Sequence, residues 1–169
     1  AIGLGGRIYP VYEGFDEPKW MSPYLLTMVA ALDKGDKRVF FKRNKFPIGA
    51  NMAFRAGTFD QYGLFDVNLG RRGNGLEGGD EKELAIRLKR GNERLVYAPD
   101  VKANHIIPRK RIEMWYIKGL AIGIGHSEQR RLKKEPFSET LKKSFSEMIK
   151  IGGTFVIAFI YGVEGHFEK

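Results

Sequence analysis

Two adjacent carboxylates, Asp80 and Glu81, follow directly on Gly78-Gly79 and open the most regular helical pattern in the chain. A carboxylate mounted there, on a rigid helix fed by a flexible loop, suits a general base that takes a proton from a substrate hydroxyl facing a cleft. The same residues also have a structural reading. Asp80 followed by Glu83 is a capping-box pattern, and negative charge at a helix start is stabilising in its own right. If Asp80 caps, Glu81 is left to point outward. His105, after Asn104 and before Ile106-Ile107-Pro108, falls near the end of a strand pattern, where a lone histidine is more often a hydrogen-bonded structural group than a metal ligand. His126 and His166 fall at a helix end and near the C-terminus, where exposure explains them. Arg71-Arg72 and Arg109-Lys110-Arg111 carry guanidinium forks that match phosphate oxygens in pairs, although such runs are usually solvated surface.

The elements that must position these groups are legible in outline. Residues 8–12 offer a short apolar strand. Ser22-Pro23 then gives an N-cap and a proline at the first helical position, predicting a buried helix over 24–32 with a stop at Gly35. Strands are expected at 39–41 and 48–54, the second opening with Gly49-Ala50-Asn51, where the chain must pass close to something. One or two helical turns follow over 57–62. Residues 66–79, with five glycines and Arg71-Arg72, read as a mobile functional loop too flexible to be core. Leu84 and Leu88, one turn apart, and Gly91 as the stop define a helix over Asp80–Arg90. Strands at 95–98 and 101–107 flank a Pro99-Asp100 turn. From 111 to about 131 the apolar spacing is helical, with Gly119 and Gly123 giving that helix a smooth side.

The chain is one ordinary domain's worth at 169 residues, and its 43% hydrophobic and 29% charged content excludes wholesale disorder, collagen and simple coiled coil. Without cysteine, a disulfide framework and any Cys-ligated zinc are impossible, and nothing points to an oxidising compartment. The cytoplasm is the default location. A formal charge of +9 favours an anionic partner without choosing among nucleotide, nucleic acid and acidic lipid. Neither glycine-rich stretch has the strand–GxGxxG–helix context of a nucleotide cradle, and HExxH, GxSxG and GxxxxGK[ST] motifs are absent. Basic residues 130–143 precede an apolar run over 151–163. That run is shorter than the ~20 residues needed to span a bilayer, yet suited to lying on an anionic membrane surface.

Phe46-Pro47-Ile48-Gly49-Ala50-Asn51-Met52-Ala53-Phe54-Arg55 resembles the "GANMAFR" strand of the family 2 inverting glycosyltransferases. Gly63-Leu64-Phe65-Asp66 with Leu69-Gly70 is similar to their "GxFDxxLG" segment, and Gly79-Asp80-Glu81-Lys82-Glu83-Leu84 through Arg87-Leu88 to their "GEDxELxxRL" segment. Val96-Tyr97-Ala98-Pro99, His105 and Ile107-Pro108-Arg109-Lys110-Arg111 match "xYxPxAxVxHxVPxxR". The match keeps the family's order over about residues 46–126. It implies an α/β fold, the C-terminal, acceptor-side half of a GT-A-type transferase with a mixed sheet and flanking helices. It also implies a nucleotide-sugar donor whose diphosphate is bridged by a divalent metal, Mg or Mn, and a saccharide or lipid-linked acceptor. The base of the "ED" segment falls on Glu81 by position and on Asp80 by residue type, because the order here is Asp-Glu; the choice stays open. The family's metal-site histidine falls on His105. For the intact enzyme Gly49, Ala50 and Asn51 are expected on the acceptor floor, and from their guanidinium chemistry Arg71, Arg109 and Arg111 are expected among the substrate-binding residues.

The family's Asp-x-Asp lies upstream of its "GGRI" strand. This sequence holds no Asp-x-Asp and begins at that strand, Gly5-Gly6-Arg7-Ile8, so the donor-binding half is expected outside these residues. The expected organisation is an incomplete transferase domain over 1–135, inactive by itself, and a basic and apolar tail over 136–169, peripheral at the inner face of the membrane. A sheet divided in this way invites self-association. Two other readings compete. One is a nucleic-acid-binding module, motivated by the charge and by Trp115 and Tyr116 beside the Arg109–Arg111 cluster, though nucleic acid is not the expected partner because the basic clusters are scattered over loops. The other is a noncatalytic membrane-docking domain built on the tail.

Overall fold

The computed structural model describes residues 1–42, 45–71, 73 and 75–163, the side chains of 161–163 excepted, so the predictions for Arg72 and His166 lie outside the described residues. Two compact units are present, Ala1–Glu128 and Gln129–Lys169. The first closes at residue 128, where the sequence suggests 135.

The first unit is a mixed α/β fold around a four-stranded sheet. Strands β1 (Gly3–Tyr12), β2 (Val39–Phe40), β3 (Met52–Phe54) and β4 (Leu95–Ile107) lie in the order β2-β4-β1-β3. The long strands β1 and β4 run parallel, and the short β2 and β3 flank them antiparallel. β1 starts at Gly3, ahead of the apolar residues that mark it in the sequence, because its first residues pair on both sides: Gly3 stands opposite Phe54 of β3 and Leu95 of β4. Backbone pairing, and not side-chain pattern, sets that end.

β4 is one strand where the sequence suggests two strands and a turn. The ladder passes from Gly6↔Ala98 to Arg7↔Lys102, so residues 99–101 bulge out of register. Pro99 has no N–H to donate, and the bulge places it where the ladder needs none. The Asn51 side chain fills the gap, its Nδ2 donating to the carbonyls of Arg7 and Val101 at 3.0 Å each. A Cβ on Gly6 would stand 2.1 Å from the Val101 carbonyl oxygen and 2.2 Å from Asn51 Nδ2, so this approach requires glycine.

The expected helix over 24–32 is reduced to a 3-10 turn, Leu26–Val29, and Tyr24 is exposed. Ala30 takes a left-handed conformation (φ 62°), which ends the turn, and Leu32 is drawn into reciprocal backbone hydrogen bonds with Ile8 at 2.9 and 3.1 Å. Tertiary pairing with β1 outcompetes local helix propensity. The expected strand over 48–54 is likewise split, its first part forming a 3-10 turn, Gly49–Asn51, and only Met52–Phe54 joining the sheet.

Helix α1 (Thr58–Tyr62) and helix α2 (Asp80–Arg90) follow the expected positions. α2 buries Leu84, Ala85 and Leu88 among Ile2, Phe41, Leu95 and Tyr97, with Phe54, Phe59 and Phe65 packed alongside. Those three rings meet at centroid distances of 5.7–6.4 Å in tilted and edge-on pairs. Arg87 of α2 fixes the chain after α1, donating to the carbonyls of Tyr62, Gly63 and Leu64 while paired with Glu83.

The loop over 66–79 is not wholly outside the core, which corrects the sequence expectation. Leu69 is fully buried, and its carbonyl accepts a 3.2 Å hydrogen bond from Ser127 Oγ. Ser127 belongs to helix α3 (Met114–Leu132), which begins after a 3-10 turn, Arg109–Ile112, and thus three residues beyond the Arg111 that the apolar spacing suggests. The smooth side of α3 receives the loop: Leu76 packs so closely on Gly119 and Gly123 that a Cβ on either would stand within 3 Å of it. The loop is therefore tied at Leu69 and Leu76, on either side of Arg71.

The second unit carries helix α4 (Phe137–Val163). Glu139 pairs with Lys142, and Glu147 with Lys143 and Lys150. Phe145, Met148, Phe155 and Phe159 are each more than half exposed. Among the described residues no helix is long and apolar enough to cross a membrane.

Candidate active site

The N-terminus of α2 is not capped by a side chain. Gly79 occupies the cap position with no side-chain hydrogen bond there, Asp80 is the first helical residue, and Glu83 is committed to Arg87 at 2.6 Å. The capping-box reading of Asp80 and Glu83 is thereby overturned. Asp80 lies against Gly70, whose Cβ position is 3.1 Å from Oδ2, and the Gly79 N–H reaches Asp80 Oδ1 only at 3.4 Å.

Glu81 turns toward the Gly49–Asn51 turn. A Cβ on Gly49 would stand 2.0 Å from Glu81 Oε1, so only a glycine admits the carboxylate to this place. Burial pushes the Glu81 carboxyl above its ordinary value; the Gly49 backbone N–H, donated to the carboxylate, works against that rise, Asp80 adds to it, and Arg71 opposes it. A carboxylate that holds its proton more tightly than usual, beside an exposed turn at Gly49 and Ala50, has the character of a general base.

His105, near the end of β4, is half-buried with Arg111 Nη1 at 2.8 Å from its Nε2. Burial lowers its pKa, and the positive charges of Arg111 and Arg71 lower it further, so the imidazole is held neutral with Nε2 turned to a guanidinium donor. The effect of Arg71 on both Glu81 and His105 joins the two sides of the site through one exposed arginine. Replacing Arg111 by Met removes one cationic neighbour and raises the His105 midpoint. The midpoint stays below the ordinary imidazole value because burial and Arg71 remain. A proton NMR titration of the His105 ring checks this, and an unmoved midpoint would mean that the pair does not form in solution.

The sequence-predicted residues thus divide. Asp80, Glu81, Arg71, His105 and Arg111 are linked by contacts or by their mutual electrostatic effect. Arg109 is drawn away, its guanidinium 5.2 Å above the Phe15 ring. The Asn51 Nδ2 is spent on main-chain carbonyls, whereas Gly49 and Ala50 are exposed. Two features of the site are not read from the sequence: the close approach of Gly49 to the Glu81 carboxylate and the His105–Arg111 pair. The first left a trace, the glycine directly after Pro47-Ile48 that signals a close approach; the second left none, because arginine six residues after histidine has no local reason to return to it.

No group of three or more His, Cys, Asp or Glu side chains among the described residues could hold a metal ion. His105 stands among guanidinium groups, which repel a cation. These residues do not fit a divalent metal by themselves, and a metal at His105 would need its other ligands from outside them.

The chain is similar to the glucosyl-dolichyl phosphate glucuronosyltransferase of Haloferax volcanii, being 24% identical over 131 residues, 76% of this chain and 41% of that protein. It thus spans well under two-thirds of that relative's length. No family model and no solved structure matches. The mixed α/β architecture, with its four-stranded mixed sheet and flanking helices, is consistent with a partial GT-A-like domain.

Proposed function

We propose that this chain is the acceptor-side part of an inverting family 2 glycosyltransferase of GT-A type that moves a sugar from a nucleotide-sugar donor to a lipid-linked saccharide, in the synthesis of a glycolipid or polysaccharide. The observation that carries the reading is the placing of the Glu81 carboxylate directly against Gly49 of an exposed turn, 2.0 Å from where a Cβ would stand; the upward pKa shift that burial gives it is in keeping with a base. Similarity to a transferase whose name specifies a dolichyl phosphate-linked sugar supports the substrate class.

In the proposed reaction the acceptor hydroxyl gives its proton to Glu81 as its oxygen bonds to the anomeric carbon. The bond from that carbon to the diphosphate oxygen breaks on the opposite face, and the nucleoside diphosphate leaves with the electron pair. One displacement inverts the configuration. Arg71 and Arg111 offset charge developing on the leaving diphosphate, where fixed cations act without reorganising. Neutral His105 orients the Arg111 fork, Nε2 accepting from it. Between the adjacent carboxylates we assign the base to Glu81, because Asp80 lies against Gly70 while Glu81 is the one held at the exposed turn.

The test is transfer by the full-length protein from a panel of nucleotide-sugars to a lipid-linked saccharide, with the product's anomeric configuration read by NMR. Inverted product is expected. Absence of transfer across the panel, or retention, would overturn the reading.

The second unit suits attachment to the inner, anionic membrane face. Exposed Phe145, Met148, Ile149, Phe155 and Phe159 supply apolar surface, and the basic residues over 130–143 supply charge. The 169-residue chain is expected to co-sediment with vesicles containing phosphatidylserine, and a chain ending at Glu135 to lose most of that binding. Equal sedimentation of both would remove the tail from the proposal.

A further inference from the structure

Asn51 stands directly after the exposed Gly49-Ala50 and has a side chain suited to hydrogen-bonding a saccharide, yet its Nδ2 donor is spent elsewhere. Nδ2 donates to Arg7 O of β1 and Val101 O of β4, each at 3.0 Å, across sequence separations of 44 and 50 residues. Both acceptors border the bulge where the two central strands change register between Gly6 and Arg7. The turn that contains Asn51 is closed by its own backbone, Asn51 N–H donating to Ile48 O at 2.9 Å. The Asn51 side chain therefore fastens the Gly49–Asn51 turn to the sheet, while its main chain closes the turn on Ile48. At the other end of the turn, Gly49 faces Glu81 so closely that no Cβ fits between them.

We propose that Asn51 is a positioning residue for Glu81, acting through the turn: by anchoring it in the β1/β4 bulge, Asn51 keeps the Gly49 N–H aimed at the Glu81 carboxylate. The turn is three residues long, so a shift at Asn51 is carried to Gly49 with little slack. The charged groups that face Glu81 are Asp80 from its own helix and Arg71 from the loop over 66–79, and neither is fastened by Asn51. Release of the turn thus subtracts the Gly49 N–H and leaves burial and Asp80 to raise Glu81 further, with Arg71 alone opposing. The catalytic consequence rests on the reading of Glu81 as the base; the geometric consequence does not.

The test follows the Glu81 side-chain carboxyl by carbon NMR over a pH titration of the 169-residue chain. Asn51→Ala is expected to raise the Glu81 midpoint by about one pH unit, tenfold in the protonation equilibrium. Asn51→Ser, which retains one hydroxyl donor, is expected to give a smaller rise. Gly49→Ala keeps Asn51 but drives the carboxylate off the turn, and so reports whether the close approach of Gly49 sets the Glu81 midpoint; Asn51→Ser serves if Asn51→Ala does not fold. In the full-length protein the acid limb of the transfer rate moves up with the midpoint in Asn51→Ser. A folded Asn51→Ala chain with an unmoved Glu81 midpoint overturns the proposal, as does an unmoved midpoint in both Asn51→Ser and Gly49→Ala. A raised midpoint with an unmoved rate profile upholds the positioning and instead removes Glu81 as the base.

Discussion

Glu81→Gln in the full-length protein is expected to lose about 10²–10⁴-fold in transfer, the range for removal of a general base, with donor affinity near that of the parent. Gln keeps the size of the side chain and an oxygen for the Gly49 N–H, so the loss reports proton acceptance and not packing. The same substitution is expected to stabilise the chain at neutral pH. Burial and then Asp80 raise the folded-state pKa of Glu81, so its contribution to stability is complete below the ordinary carboxyl range and is lost as pH climbs through the raised folded value. Gln carries no charge at any pH. The gain in unfolding free energy should therefore be largest near neutrality, shrink through the interval between folded and unfolded values, and vanish in acid. Urea titrations at a series of pH values measure it. Asp80→Asn removes the neighbouring negative charge, lowers the Glu81 midpoint and leaves most transfer intact. Full transfer in Glu81→Gln with loss in Asp80→Asn would move the base to Asp80.

The second large effect is on the helix that mounts this carboxylate. Leu84, one turn after Glu81, is completely buried between α2 and the sheet among Phe41, Leu95 and Tyr97. Truncation to Ala leaves a cavity that the flanking aromatic rings cannot fill by small movements, and is expected to cost about 2–5 kcal/mol. Against the ~5–15 kcal/mol available to a typical domain, that is a large share. It should appear as a lower urea midpoint with unchanged slope, since the surface exposed on unfolding is nearly the same. Ile86, only half-buried on the same helix, should cost clearly less when truncated. Equal costs at 84 and 86 would mean that α2 does not face the sheet as described.

The same helix shows why some of the molecule was legible from sequence. α2 announces itself because its signals are local: two leucines one turn apart, acidic residues at the start, basic residues in the last turn and a glycine at the stop. α1, the smooth side of α3 and the placing of Asp80 and Glu81 after a glycine-rich loop follow from the same kind of short-range evidence. Errors arise where a distant partner decides. Residues 24–32 have the composition of a helix, yet Leu32 is claimed by Ile8. Pro99-Asp100 has the composition of a turn, yet the parallel partner β1 keeps the strand running and absorbs the proline as a bulge. Leu69 sits among glycines, yet Ser127 and the core take it.

The candidate site divides along the same line. Sequence alone determined which residue types are available: the paired carboxylates, a histidine at the end of a strand, arginines before and after, and a glycine at a point of close approach. Only the tertiary structure decided that Glu81 and not Asp80 meets the Gly49 turn, that Glu83 serves Arg87 instead of a cap, that Arg111 returns to His105 while Arg109 goes to Phe15, and that Asn51 binds the sheet. The physical reason is range. Helix starts and stops are written within a few residues, whereas the direction a charged or amide side chain takes depends on which backbone groups and charges the rest of the fold leaves beside it.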